Sequence, residues 1–131
     1  MILVDTSVLI DFFKGIENKP STKFQNILTQ RIPFGINSFI YQEVLQGAKS
    51  EKEYHLLKEY LSTQHFFYLK DPIDSFAKAA KIYIDCRKKG LTIRSTIDCL
   101  IAQTAIEHNL LLLHNDSYFH EIAKVARLKF Y

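Results

Sequence analysis

Four consecutive leucines at positions 110–113 restrict the possible folds of this chain more than any other stretch. A strand without polar residues is typical of a parallel sheet, where helices cover both faces and every side chain is buried. The first residues, Ile2 to Val4, form a second uninterrupted apolar run. The two runs predict a parallel sheet that lies between two layers of helices.

The remaining elements follow from helical periodicity and from the signals that begin and end helices. Further strands are predicted at 32–36, 65–69 and 128–131, the last as an edge strand. Helices are predicted at 7–14, 24–30, 38–48, 51–63, 72–90, 96–109 and 117–125, with Gly15 and Gly90 ending two of them. The polar stretch GIENKPSTKF is interpreted as a loop. The order of elements predicts a three-layer α/β/α fold with four or five parallel strands.

The composition agrees with one globular domain over residues 1–131. Hydrophobic residues make up 47% of the 131 residues and charged residues 24%. Disordered chains have a lower hydrophobic content and a higher net charge, so we expect a folded domain. The apolar stretches are too short to cross a bilayer, and Asp5 interrupts the first, so we expect neither a membrane span nor a signal peptide. Cys86 and Cys99 have no metal or disulfide spacing, and we expect two buried free thiols in a reducing cytoplasm.

Two of the apolar strands run directly into acidic residues. Asp5 follows Ile2 to Val4, and Asp116 follows the leucine run after His114 and Asn115. The carboxyl ends of parallel strands lie at one edge of a sheet, and ligands bind at that edge in open α/β folds. The structural alternative is that Thr6 and Asp116 are only helix N-caps, each worth about 1 kcal/mol.

Two further acids are predicted near the same edge. Asp98 shares a helix face with apolar residues, where a carboxylate loses hydration and needs a partner such as a cation. Its alternative role is in a capping box, in which Asp98 accepts from the Ser95 amide. Glu43 lies one turn into the helix after the second strand, with Gly47 leaving room beside it; its alternative is a solvated surface position.

Convergence of these four acids would require a counter-charge. Two charges ~4 Å apart at an effective dielectric near 20 repel by about 4 kcal/mol, whereas a helix N-terminus relieves less than ~2 kcal/mol. Such a cluster takes up protons or divalent cations. Ligands that are all oxygen favour Mg²⁺ or Mn²⁺ over zinc.

Several stretches together resemble the PIN domain. They are Asp5-Thr6-Ser7 after the first strand, Glu43 in the second strand–helix unit, TIRSTIDCLIA and LLLLHNDSYF. Within that family the chain is similar to the VapC-type toxins of bacterial toxin–antitoxin pairs, and the resemblance covers essentially the whole chain. It implies a PIN-like fold and a Mg²⁺- or Mn²⁺-dependent endoribonuclease that acts on RNA, with transfer RNA and ribosomal RNA as plausible substrates.

The resemblance also implies site residues. The family's acids map onto Asp5, Glu43, Asp98 and Asp116, its polar residue after the first acid onto Thr6 or Ser7, and another polar position onto Asn115. Asp5 and Asp98 are expected to hold the metal, Asp116 to complete its site, and Glu43 to hold a second ion or to orient the attacking water.

The net charge of +3 permits a polyanionic partner, and Arg94, just before the Asp98 helix, is placed to meet a phosphate near the acids. The family further implies a cognate VapB-type antitoxin and a homodimer.

Two other classes of function stay open at this point. A phosphatase on a similar sheet would need Asp-x-Asp after the first strand, and a phosphoryl-accepting switch would need an acidic doublet there, where this chain has Thr6 and Ser7. A switch would also need an acceptor aspartate after the middle strand, and Asp71 follows the third strand. A non-catalytic RNA-binding module would bind RNA in a salt-dependent way without metal-dependent cleavage.

Overall fold

Five short strands and seven helices alternate along the chain in the computed structural model, which describes residues 1–131. In chain order they are β1 (Ile2–Val4), α1 (Thr6–Phe13), α2 (Lys19–Thr29), β2 (Phe34–Ile36), α3 (Ser38–Gln46), α4 (Glu51–Leu61), β3 (His65–Phe66), α5 (Asp74–Lys88), α6 (Thr96–Glu107), β4 (Leu111–Leu113), α7 (Tyr118–Ala123) and β5 (Lys129–Phe130).

All five strands form one parallel sheet in the order β3-β2-β1-β4-β5. The chain moves outward from β1 through β2 to β3, then returns to the other side of β1 for β4 and β5. Because crossovers between parallel strands are right-handed, the helices after β1 and β2 cover one face, and α5, α6 and α7 cover the other. The direction of winding changes between β1 and β4, so a ligand crevice is expected where these two strands end.

The sheet and the inner faces of the helices form one hydrophobic core of 25 buried residues. Leu3, Val4 and Leu112 are fully buried, as the uninterrupted apolar runs predicted. Leu111 is an exception within the leucine run, with 37% of its surface exposed. The predicted three-layer α/β/α fold with a parallel sheet of four or five strands is confirmed, with five strands.

One predicted loop is wrong. α2 begins at Lys19, inside the polar stretch GIENKPSTKF that was interpreted as a loop. The Asn18 side chain accepts a hydrogen bond from the Ser21 amide (2.9 Å), and Ser21 Oγ accepts one from the Asn18 amide (3.0 Å). This reciprocal capping box satisfies two donors of the first turn, so the helix starts despite its polar composition.

Glycines end two helices as predicted. Gly15 and Gly90 have φ angles of 71° and 70°, which residues with a Cβ adopt only at a cost. The cysteines Cys86 and Cys99 are buried and free, as expected. No helix has the length and apolar character needed to cross a lipid bilayer.

Candidate active site

The acidic residues that follow β1 and β4 lie at the crevice between these two strands. Val4 pairs with Leu113 in the sheet, and the Asp5 amide donates to the Leu113 carbonyl at 2.9 Å. Asp5 therefore lies beside the start of the loop that carries Asn115 and Asp116. This is the arrangement that the sequence predicted for the two strand ends.

Asp5 is almost fully buried and is fixed by Ser7. Its Oδ2 accepts hydrogen bonds from the Ser7 amide (3.0 Å) and the Ser7 hydroxyl (2.6 Å), so Asp5, and not Thr6, is the N-cap of α1. Burial raises the pKa of Asp5 to about 6; the bonds from Ser7 oppose this rise, and the negative charges of Glu43 and Asp98 add to it. The bonds from Ser7 thus fix the orientation of the Asp5 carboxylate, whose pKa stays above its ordinary value.

Thr6 links the first strand–helix unit to the second. Its Oγ1 donates to Glu43 Oε1 at 2.7 Å. Glu43 lies on α3, which begins where Asn37 caps it at the end of β2. The alternative of Glu43 as a solvated surface residue is wrong, since its side chain is half-buried and held by this hydrogen bond.

Asp98 is buried on α6, with 2% of its surface exposed. The capping-box alternative is wrong for this residue, because the Ser95 side chain caps the helix by accepting from the Ile97 amide and Asp98 makes no bond to Ser95 N. Its Oδ2 is buried without any hydrogen-bond partner. Burial raises the pKa of Asp98 to about 6; the positive charge of Arg94 opposes this rise, and the charges of Asp116 and Glu43 add to it.

The two carboxylate oxygens of Asp116 differ, because one accepts a backbone hydrogen bond and the other accepts none. Its Oδ1 accepts a hydrogen bond from the Tyr118 amide at 3.0 Å. The N-cap of α7 is Ser117, so the alternative in which Asp116 is the helix N-cap is wrong. Its Oδ2 lies 2.8 Å from Arg94 Nη2 but has no hydrogen bond of good geometry. One oxygen of Asp116 is therefore structural, and the other faces the acidic cluster.

Arg94 lies among the acids it was predicted to accompany. Its Nη2 is 3.4 Å from Asp98 Oδ1 in addition to its contact with Asp116, and its guanidinium carbon lies 5.8 Å from the centre of the Tyr118 ring. Partial burial alone would lower the pKa of Arg94, but the charges of Asp98 and Asp116 raise it above its ordinary value. More than half of the side chain, 56%, is exposed, so the cluster opens to solvent on this side.

The loop after β4 is held against α1 by Asn115 and by Asp11, a residue of α1 that the sequence analysis missed. The Asn115 amide donates to Ser7 Oγ (2.9 Å), and Asn115 Nδ2 donates to Asp11 Oδ2 (2.9 Å). The same Asp11 oxygen accepts from Asn18 Nδ2 at the start of α2 (2.9 Å). The signal in the sequence is the spacing of Ser7 and Asp11, four residues apart on one helix face.

Asp71 does not share this site. It follows β3, which is separated from β1 by β2, and its Oδ1 accepts from the amides of Ile73 and Asp74 at the start of α5. An acceptor aspartate for phosphoryl transfer needs nearby acids that hold a metal, whereas the pKa of Asp71 is lowered by its hydrogen bonds from the Asp74 and Ile73 amides and by Lys78, and no acid acts on it. No observation therefore favours the phosphoryl-accepting switch.

The four predicted acids form one electrostatic cluster, because the charges of Glu43 and Asp98 act on Asp5 and those of Asp116 and Glu43 act on Asp98. As the side chains stand, no three acidic, histidine or cysteine side chains are arranged to hold a metal ion. Arg94 lies between two of the acids, while Ser7 and Thr6 hold the other two. The residues nevertheless suit a divalent cation, since Asp98 Oδ2 is a buried oxygen without a partner and the donors are all oxygen.

Comparison with known proteins identifies the family of this chain. The sequence profile of the PIN domain matches residues 2–125. The VapC ribonuclease Mb1587 of Mycobacterium bovis and ribonuclease VapC11 of Mycobacterium tuberculosis are each 32% identical over 130 residues, which cover 98% of this chain and 96% of theirs.

Solved structures share the fold over almost the whole chain. VapBC-1 of nontypeable Haemophilus influenzae has a TM-score of 0.73 at 19% identity, covering 100% of this chain and 97% of that one. VapBC2 of Rickettsia felis, bound to a DNA fragment from its promoter, has a TM-score of 0.72 at 20% identity, covering 100% and 98%.

Proposed function

The chain belongs to the PIN domain family and, within it, resembles the VapC ribonucleases, and on this premise we propose that it is the toxin of a toxin–antitoxin pair that cleaves RNA. The proposed reaction is the metal-dependent hydrolysis of an internal phosphodiester bond, with Mg²⁺ or Mn²⁺ as the cofactor. Transfer RNA or ribosomal RNA is the proposed substrate.

The observation that carries this proposal is the buried Asp98 Oδ2 without a partner inside a cluster of four coupled acids. A buried carboxylate oxygen without a hydrogen bond costs stability, and the cost is recovered when a cation binds. With pKa values of about 6, Asp5 and Asp98 are mostly ionised at neutral pH. They therefore attract a divalent cation at the pH of a cell interior.

Asp5, Asp98 and Asp116 are the proposed metal ligands, and Glu43 is a ligand of a second ion or the residue that orients the attacking water. A divalent ion in such a site lowers the pKa of a water molecule and offsets the negative charge of the phosphate. By the family resemblance, water attacks the phosphorus and the ribose 3′-oxygen is the leaving group, so the products carry a 5′-phosphate and a 3′-hydroxyl.

The remaining side chains position these groups. Ser7 fixes one oxygen of Asp5, and Thr6 holds Glu43 at 2.7 Å so that its second oxygen can accept a proton from water. Arg94 is exposed enough to turn away from the acids and bind a phosphate oxygen of the RNA. Asn115 holds the loop of Asp116 against α1, and its carbonyl oxygen stays available to the substrate.

A VapB-type antitoxin is the proposed partner, a homodimer the proposed assembly and the cytoplasm the proposed location. Support for the partner comes from the structures that share this fold, VapBC2 of Rickettsia felis and VapBC-1 of nontypeable Haemophilus influenzae. The net charge of +3 agrees with an RNA substrate and with an acidic segment of an antitoxin.

Incubation of the purified protein with total cellular RNA tests the proposal. We expect cleavage in the presence of Mg²⁺ or Mn²⁺, inhibition of this cleavage by EDTA, and 5′-phosphate ends at the cleavage sites. Asp5→Ala and Asp98→Ala should lose cleavage and should have the same circular dichroism spectrum as the parent protein. Glu59→Gln, which neutralises an exposed carboxylate with no partner, is the matched control. Cleavage that continues in excess EDTA or in either alanine variant contradicts the proposal, and RNA binding without any cleavage indicates a non-catalytic binding module.

A further inference from the structure

A cavity of about 440 Å³ opens next to the acidic cluster, at the ends of β4 and β5. Asp116 belongs to both the acidic cluster and the wall of this cavity, and its neighbour Asn115 also lines the cavity. A chain molecule bound at the acids would therefore continue directly into it. The volume lies in the range of small-molecule sites and suits a single nucleotide.

One wall of the cavity is cationic. Lys19 and Lys23 come from the first turns of α2, the helix that sequence analysis assigned partly to a loop. Lys19 is exposed without an ion pair, and Lys23 Nζ donates only to the Tyr131 carbonyl, at 3.1 Å. Lys19 has no carboxylate partner and is available to a phosphate group, whereas Lys23 must leave the main-chain oxygen of Tyr131 to bind one.

The other wall is made of rings. His114, His120 and Phe130 form a three-ring cluster with centre-to-centre distances of 4.7 to 4.8 Å, and the Tyr131 ring lies 5.8 Å from Lys23 Nζ. His120 and Tyr131 are exposed at the cavity, whereas His114 and Phe130 are half-buried behind them. Exposed rings beside lysines are the combination that proteins use to stack bases and hold the backbone of single-stranded nucleic acid.

We propose that this cavity binds one nucleotide of the RNA strand beside the phosphate that is cleaved. Lys19 and Lys23 contact its phosphate, and the rings of His120 and Tyr131 stack on its base. The proposal rests on the proposed function for the identity of the polymer. It adds a subsite that lies outside the acids themselves and assigns phosphate contacts and base contacts to different residues.

RNA binding without cleavage tests the subsite. The parent protein is Asp98→Asn, and the measurement is the anisotropy of fluorescent single-stranded RNA oligonucleotides of each base over a range of KCl concentrations. In this background, Lys19→Ala/Lys23→Ala should weaken binding about tenfold for every base. It should also lower the slope of log K against log salt by about 0.7, because the two lysines contact one phosphate and each neutralised phosphate on a single strand contributes about 0.7.

The ring variants should behave differently. His120→Ala and Tyr131→Ala should each weaken binding about tenfold with an unchanged salt slope. An oligonucleotide with one abasic position should bind these variants and the parent equally well when that position occupies the cavity. Lys19→Arg/Lys23→Arg should retain parental affinity.

The matched control is Lys52→Ala/Lys88→Ala, which removes the same charge from two exposed lysines that have no ion pair and line no part of the cavity. Equal weakening by the cavity pair and the control pair, or parental binding by the cavity variants, overturns the subsite. If Lys23→Ala lowers the melting temperature because its contact with Tyr131 is lost, the single variant Lys19→Ala tests the subsite instead. It should change the slope of log K against log salt by half as much as the double variant.

Failure of the subsite and failure of the proposed function give different results. Cleavage by the wild-type chain with Mn²⁺ and parental binding by the cavity variants would reject the subsite and keep the ribonuclease. Absence of cleavage by the wild-type chain, with binding that depends on the cavity residues, would reject the ribonuclease and keep the subsite as an RNA-binding site.

Discussion

Arg94 lies against Asp116, with 2.8 Å between Nη2 and Oδ2. The same nitrogen is 3.4 Å from Asp98 Oδ1, so a cation of the chain itself lies between two of the proposed metal ligands. Its positive charge reduces the repulsion among the acids when no metal is bound. Arg94 and a divalent ion therefore compete for the same carboxylates.

The first prediction is that Arg94→Ala binds Mn²⁺ more tightly and RNA more weakly. An ion pair with an exposed partner is worth up to ~1 kcal/mol, so its removal should raise Mn²⁺ affinity about fivefold. Loss of a phosphate contact should lower RNA affinity. Calorimetric titration measures the affinity for Mn²⁺, and fluorescence anisotropy measures the affinity for RNA. Lys88→Ala is the control for net charge, and equal metal affinity in Arg94→Ala and Lys88→Ala contradicts the competition.

The sequence was sufficient to predict the fold and the place of the acids. Uninterrupted apolar runs ending at Asp5 and before Asp116 indicate buried parallel strands, and right-handed crossovers then determine which strand ends meet. Burial of Asp98 followed from the apolar residues on its helix face. These inferences depend on periodicity and on topology, and both can be read along the chain.

The contacts within the site could not be predicted in this way. A helix cap was the structural alternative for Thr6, but Thr6 holds Glu43 and Asp5 is the cap, because the choice between these residues depends on side-chain rotamers. Asp11 was missed because its partners, Asn18 and Asn115, come from two other elements. Arg94 was predicted to lie near the acids, but its contact with Asp116 depends on the packing of two separate loops, which no local pattern encodes.

The second prediction concerns Asp98 and stability. Because burial raises its pKa from 3.8 to about 6, the folded chain binds a proton more tightly than the unfolded chain, and the stability gained below pH 4 is lost as the pH rises to about 6. Asp98→Asn removes this titration. We expect its free energy of unfolding at pH 7.5, without metal, to exceed that of the wild type by about 2 to 3 kcal/mol.

Urea unfolding at a series of pH values measures this effect. The difference between Asp98→Asn and the wild type should be largest above pH 6 and should shrink as the pH falls toward 4. Mg²⁺ should stabilise the wild type and leave the variant nearly unchanged, because only the native wild-type site binds the ion. Glu59→Gln is the control, and a variant curve parallel to the wild type at all pH values would falsify the assignment of the raised pKa to Asp98.

The third prediction is that Thr6 acts through Glu43. Thr6→Val removes the 2.7 Å hydrogen bond but keeps the volume of the side chain, so kcat should fall about tenfold with little change in KM. Thr6→Ser keeps the hydroxyl and should restore most of the rate. In a double-mutant cycle, Thr6→Val should have no further effect on Glu43→Gln. Additive losses would show that Thr6 acts independently of Glu43.

The fourth prediction concerns Asn37, which anchors the helix that carries Glu43. Asn37 is buried; its Oδ1 accepts from the Ile40 amide (2.9 Å), and its Nδ2 donates to Thr104 Oγ1 on α6 (3.1 Å). Asn37→Ala removes the cap of α3 and the only side-chain bond between α3 and α6, the helices of Glu43 and Asp98. We expect a loss of about 2 kcal/mol in the free energy of unfolding.

The same variant should also lower kcat at temperatures where it is fully folded, because Glu43 shifts relative to Asp98. Ser50→Ala is the matched control, since Ser50 caps α4 by accepting from the Glu53 amide at 3.1 Å but joins no other element. It should lose about 1 kcal/mol of stability and keep parental kcat. If Asn37→Ala loses stability and keeps the full rate, the spacing of Glu43 and Asp98 does not depend on this bond, and the sheet alone positions the two acids.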